Sequence, residues 1–332
     1  MTLPRLTRRA LVAATAMAMG LAALPALAQE HTVRFSTAGP AGDFLYRGME
    51  LFAQTVAEAN VGVTVETYPA SSLFRQGTEV PAIQRGNLEM STMAVPEIAA
   101  QIPEWGFLSR AFLFRDYDHM MEVMSGPIGE QMFEDVAEQM DIRILAVAYL
   151  GTRQVALREA RDVTTPEDLN GLRLRMPGSP EWLLLGESLG VEPTPMAMPE
   201  VYVALQTGAI DGQENPMTIF NAARFYEVSE QVILTSHMVQ PVFYAISRPF
   251  FDALSPDQQQ TLRDAAQAGA AWNNEHRYAD EQSVADRLVS EHGVRIDAVD
   301  LAPFYANADR VYAEADMVQE WNVELMHQIM GD

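Results

Sequence analysis

The chain has 332 residues, 48% of them hydrophobic, with 22 basic and 45 acidic side chains, a formal net charge of −23 and no cysteine. The acidity excludes nucleic acid and anionic membrane surfaces as partners, because the field of the whole molecule repels phosphate. The missing cysteine excludes disulfides, thiol catalysis and cysteine-zinc sites, so packing alone holds the fold, which is feasible at this size.

Every basic residue is arginine, a composition that suggests salt adaptation. Charges beyond roughly 8 Å are screened at physiological salt, so the net charge leaves an anionic ligand open wherever a pocket supplies local positive charge.

In chain order, Arg5, Arg8 and Arg9 precede an apolar run from Ala10 to Leu24 and then Ala26-Leu27-Ala28. This pattern predicts a signal peptide over 1–28, a mature start at Gln29 and export. The run is shorter than the ~20 apolar residues of a membrane span, and Pro25 interrupts it. Thr7-Arg8-Arg9-Ala10-Leu11-Val12 also looks like a twin-arginine signal, which leaves the export route open. Without the leader, 19 basic residues stand against 45 acidic ones.

A strand is expected over Thr32–Ala38, an amphipathic helix over Asp43–Asn60 and a strand over Val61–Tyr68, a β-α-β start. Glu79–Arg85 reads as a helix stopped by Gly86, with a strand over Leu88–Met93. Ala82–Glu89 then recurs as Ala204–Asp211, in the pattern A-[I/L]-Q-x-G-x-[L/I]-[E/D] of a helix end, a glycine cap and a strand start, which argues for two similar lobes. Ile142–Tyr149 is a strand followed by Gly151, where a crossover into the second lobe is expected.

Arg175 ends the strand after Leu172-Arg173-Leu174, and Asn215 follows a short strand at Ile210-Asp211-Gly212. Two such ends can converge on one ligand, and paired guanidinium donors beside an amide make a carboxylate clamp. Gln231–Leu234 and Val242–Ser247 are read as two further strands, the second returning through Gln240-Pro241. Ser255-Pro256-Asp257 starts a helix that reaches about His292 and is long enough to cross both lobes. Val294–Ile296 is a short strand, and Phe304–Ile329 gives one or two closing helices.

The stretches GLRLRMP, PTPM, EVYVALQTGAIDGQENP and FYEV between Gly171 and Val228 resemble the DctP family, the extracytoplasmic solute-binding proteins of TRAP transporters, with weaker resemblance from about Val33 to about Ile296. The resemblance implies an α/β, two-lobe periplasmic-binding-protein-like fold with a central ligand cleft, hinge strands and a long helix bracing both lobes. The lobes are expected at 29–150 with 241–280, and at 151–240 with 281–332. It also implies no cofactor, a monomer, a small-molecule carboxylate as ligand, and small and large TRAP membrane subunits as partners.

Carried over by position, Arg175 corresponds to the family's carboxylate-gripping arginine and Asn215 to its pocket asparagine, although Pro216 also gives Asn215 a turn-capping role. Arg153 resembles a second pocket arginine found among sialate binders, and Gln76, Ser71 and Met198 fall on pocket-lining places. Ala94 and Glu97 depart from the sialate pattern, where polar and basic residues are expected, which disfavours sialic acid. Trp182, Phe44 and Phe220 are candidates for an aromatic wall, though aromatics at helical spacing usually serve the core.

His237 follows a strand and is expected either near the cleft or as a satisfied structural histidine. Asp211 and Glu214 lack the number of oxygen ligands calcium needs, and the six histidines form no pair at zinc spacing. A secreted hydrolase or lyase using Asp211, Glu214 and His237 is the competing reading, and a sensor subunit sharing the same cleft is a third. For the solute, a sugar acid or hydroxy acid is favoured over aromatic carboxylates, dicarboxylates and zwitterions such as ectoine.

Overall fold

The computed structural model describes residues 31–331, so the expected leader, its cleavage point and Gln29 lie outside the described residues. One mixed sheet runs through the molecule in the order β2-β1-β3-β8-β4-β7-β5-β6, with β9 also on β8. Its strands are β1 (His31–Ser36), β2 (Val63–Tyr68), β3 (Met90–Met93), β4 (Ile142–Leu157), β5 (Arg173–Met176), β6 (Glu192–Pro195), β7 (Gly212–Pro216), β8 (Gln231–Ser247) and β9 (Arg295–Ala298). Parallel pairs β1/β2 and β1/β3 build one lobe, and β5/β6 and β5/β7 build the other. The long antiparallel pair β4/β8 joins them: β8 pairs with β3 near one end and β9 near the other, while β4 meets β7.

The recurring octapeptide occupies equivalent joints. Gly86 (φ 72°) and Gly208 (φ 71°) both turn in the left-handed region, and the residue after each glycine donates to the carbonyl of the motif's first alanine, Asn87 to Ala82 at 2.8 Å and Ala209 to Ala204 at 2.9 Å. Each joint leads into a strand that flanks the central pair.

Three sequence readings need correction. The chain does not end a strand at Tyr149: β4 continues through Gly151, and β8 is one strand through Pro241, not two. Proline opposite Tyr149 cannot donate to its carbonyl, and the register shifts between Tyr149 and Gly151. Side chains of the long helix Pro256–His292 replace the missing ladder bonds, Asn273 donating to the Tyr149 carbonyl at 2.9 Å and Asn274 accepting from its amide at 2.7 Å. Gly151 is required there, because at φ 121° a Cβ would stand 2.5 Å from Pro216 and 2.7 Å from Glu281. The third correction is smaller: Asn215 lies within β7, not after a strand.

The long helix starts on a capping box between Ser255 and Gln258, with Pro256 at its first position, and stops at left-handed Gly293. It crosses helix Phe44–Ala59 so closely that a Cβ on Gly269 would meet the Gly48 carbonyl at 2.4 Å. Arg277 of this helix reaches both lobes, pairing with Asp43 at 2.5 Å and donating to Thr218 at 2.6 Å. The closing helices Ala302–Glu314 and Val323–Met330 place Phe304, Tyr312 and Met326 in one core cluster with Trp105, Phe107 and Leu185. The C-terminal segment therefore touches elements on both sides of the central strands.

Candidate functional site

A cavity lies where the two lobes meet, lined from the first by Thr37, Gln76, Glu79, Thr92, Ala94 and Glu97 and from the second by Arg153, Arg175, Trp182, Met198 and Asn215, with Gln240 on the crossing strand β8. Thr37 and Thr92 stand at the carboxyl ends of β1 and β3, the edge of an open α/β sheet where ligands bind. Their hydroxyls bond each other at 2.8 Å.

Arg175 is 1% exposed. Its Nε donates to the Met196 carbonyl at 2.8 Å and one Nη to Gln76 Oε1 at 3.0 Å, while the other Nη has no partner among the described residues. Gln76 also accepts from the Met198 amide at 2.8 Å, so one side chain of the first lobe closes onto two groups of the second. Burial pushes the Arg175 guanidinium down to about 9, with Glu214 opposing and Arg153 adding to that shift.

Four described arginines are buried. Arg110 pairs with Asp309, Arg153 with Glu214 and Arg277 with Asp43, whereas Arg175 forms no ion pair among the described residues. A buried cation without a counter-charge is costly, and a ligand anion at the free Nη would supply one.

Arg153 is differently placed. Its Nε and one Nη hold the Glu214 carboxylate in a fork, and the other Nη donates to Gln240 at 2.7 Å. The guanidinium lies 4.7 Å from the centre of the Trp182 ring, so it occupies ring surface expected for a ligand. Burial, the largest influence on Glu214, pushes its carboxyl up, but Arg153 and His237 outweigh it and hold it below the usual range. Asn215 is 5% exposed, accepts from Arg153 at 3.2 Å and donates to Gln213 at 2.6 Å.

Of the residues singled out from sequence, Arg175, Asn215, Arg153, Gln76, Met198 and Trp182 line the cavity, and Ser71, Phe44, Phe220 and His237 do not. Phe44 and Phe220 miss by one position on a helix, where successive residues point about 100° apart. Their neighbours Leu45 and Ile219 line the cavity instead, while Phe44 packs 6.2 Å from Trp272 and Phe220 the same distance from Phe225. Ser71 sits behind the wall in the left-handed region (φ 55°), its amide on the Thr37 carbonyl.

His237 is fully buried between Thr235 at 2.8 Å and Glu214 at 3.1 Å, and burial pushes its pKa down. The trio considered for acid-base chemistry is thus already engaged: Asp211 pairs with Arg173 at 2.8 Å, Glu214 with Arg153, and none of the three lines the cavity.

Glu79 escaped the sequence reading altogether. It opens the helix Glu79–Gln84, so the signal available was an acid in a first turn, which ordinarily means capping. Glu97 was marked only as a departure from the sialate pattern. It caps its own helix by accepting from the Ala94 amide at 2.9 Å. Burial holds both acids up at about 7, with backbone amides opposing, and Glu79 adds to the shift of Glu97.

Acids raised above their unfolded values bind more protons when folded, so stability is full at low pH and is lost as pH rises from about 4.5 through 7. The loss is on the order of 3 kcal/mol per acid, from 1.36 kcal/mol per pKa unit. Urea unfolding at pH 5 and pH 8 is expected to show a larger fall in the wild type than in Glu79→Gln/Glu97→Gln. Parallel pH profiles would refute the assignment.

The hinged two-lobe fold and the interlobe cavity define a solute-binding receptor. The chain belongs to the DctP family, bacterial extracellular solute-binding protein family 7, whose profile matches residues 35–317. A solute-binding protein of Roseobacter denitrificans is 31% identical over 90% of both chains. A TRAP periplasmic solute-binding protein from the same organism, solved with 3-deoxy-D-manno-oct-2-ulosonic acid, is 37% identical with a TM-score of 0.86, over 91% of this chain and 99% of that one. The first of these Roseobacter denitrificans proteins has also been solved, with L-galactonate, and that structure is 27% identical with a TM-score of 0.83, over 91% of this chain and 99% of that one. The family is one of receptors that work with TRAP membrane subunits, and its members are periplasmic.

Proposed function

We propose that this receptor captures a sugar acid or closely related hydroxy acid between its lobes. The ligand carboxylate takes the free Nη of Arg175, and Asn215 and Gln76 orient it. The observation that carries the reading is the buried guanidinium of Arg175, which has no carboxylate partner among the described residues and lines the cavity. The sugar acids held by similar proteins support it.

The lobes, 29–150 with 241–280 and 151–240 with 281–332, close about β4 and β8, and Gln76 contributes only in the closed form because its partners belong to the other lobe. In this reading the leader is removed after Ala28, and the loaded receptor, a monomer, delivers its solute to the small and large membrane subunits without transforming it.

A thermal-shift screen of sugar acids, hydroxy acids, dicarboxylates, aromatic carboxylates and ectoine, followed by calorimetry, tests the proposal. A true ligand at a hundredfold excess over its Kd stabilises the protein by about 2.7 kcal/mol. A screen in which none of these carboxylates stabilises the protein would overturn it.

A further inference from the structure

We propose that Glu79 and Glu97 form an acidic pole of the cavity that holds the hydroxyl-bearing end of the ligand and rejects a second carboxylate, restricting the solute to monocarboxylic polyhydroxy acids. This rests on the carboxylate reading of Arg175. The charged side chains lining the cavity are Arg153, Arg175, Glu79 and Glu97. Glu214 neutralises Arg153, so Arg175 is the single uncompensated cation among them, and one carboxylate satisfies it.

Glu79 and Glu97 come from two separate helices, and neither forms an ion pair among the described residues. Glu79 is 7% exposed, too buried for water to screen it well. Glu181, itself 8% exposed and close enough to raise the pKa of Glu97, adds a third acid on that side. A ligand with a second carboxylate would place it against these acids with no cation left, a like-charge contact that acts as a built-in barrier.

Hydroxyls suit the same groups in either protonation state, because a carboxylate accepts from them and a carboxylic acid also donates to them. With both acids held at about 7, both states are populated near neutral pH. The rejection therefore strengthens as pH rises through that value.

Matched pairs isolate the effect, since an aldonate and its aldarate differ only by a terminal CH2OH against a carboxylate. Calorimetry on the mature chain with D-galactonate and galactarate, and with D-gluconate and D-glucarate, is expected to show the preferred aldonate binding at least about 100-fold tighter than its aldarate at pH 8. The ratio should shrink at pH 6, and again in Glu79→Gln/Glu97→Gln at pH 8. The pH comparison needs only the wild type, so it stands even where the double variant fails to fold.

Aldarates binding as tightly as aldonates, or a ratio unchanged at pH 6, would overturn this inference while leaving the carboxylate reading intact. Failure of every sugar acid to bind would remove both.

Discussion

Arg175→Ala is expected to weaken ligand binding by more than about 2 kcal/mol, the range for truncating one partner of a buried charge pair, which is a factor of roughly 30 or more in Kd. The same change should leave the fold intact. Arg175 has no internal carboxylate to strand, and its losses are two hydrogen bonds, to Met196 and Gln76, set against the cost of keeping a cation buried. Arg175→Lys should restore little, because a single ammonium does not reproduce a planar fork. Calorimetry with the tightest solute from the screen checks this, and an unchanged affinity in the alanine variant would remove the basis of the proposed function.

Arg277→Met reverses the profile. Arg277 and Asp43 are both fully buried and bonded at 2.5 Å, and Arg277 also donates to Thr218 in the other lobe. Removing the arginine leaves a carboxylate uncompensated in the interior, which costs about 3–5 kcal/mol. Urea unfolding should register that loss, and Asp43→Asn in the same chain should recover part of it, because the stranded charge is then gone. A single variant within about 1 kcal/mol of wild type would mean that the pair contributes little. The two arginines thus separate by their partners: one is completed within the protein and the other awaits a ligand.

Local signals carried much of the fold. Ser255-Pro256-Asp257 marked the start of the long helix, and the octapeptide recurring at Ala82 and Ala204 marked the paired joints. Strand continuity was less legible. Gly151 and Pro241 are local breakers, yet both lie inside long strands because Asn273 and Asn274, more than a hundred residues away from Tyr149, satisfy the backbone groups that the ladder leaves open. The aromatics failed for a related reason: a helix turns 100° per residue, so proximity to a loop cannot say whether Phe44 or Leu45 faces the cleft.

By itself the sequence determined the family, the two-lobe α/β architecture that the resemblance implies, and Arg175 and Asn215 as residues of the cleft, because these rest on ordered local motifs. Only the tertiary structure decided which charges are already spent. It set Arg153 against Glu214, placed His237 behind that pair and brought Glu79 and Glu97 into the same cavity as Arg175. Charge compensation is a property of neighbours in space, and most of these partners are separated by tens of residues along the chain.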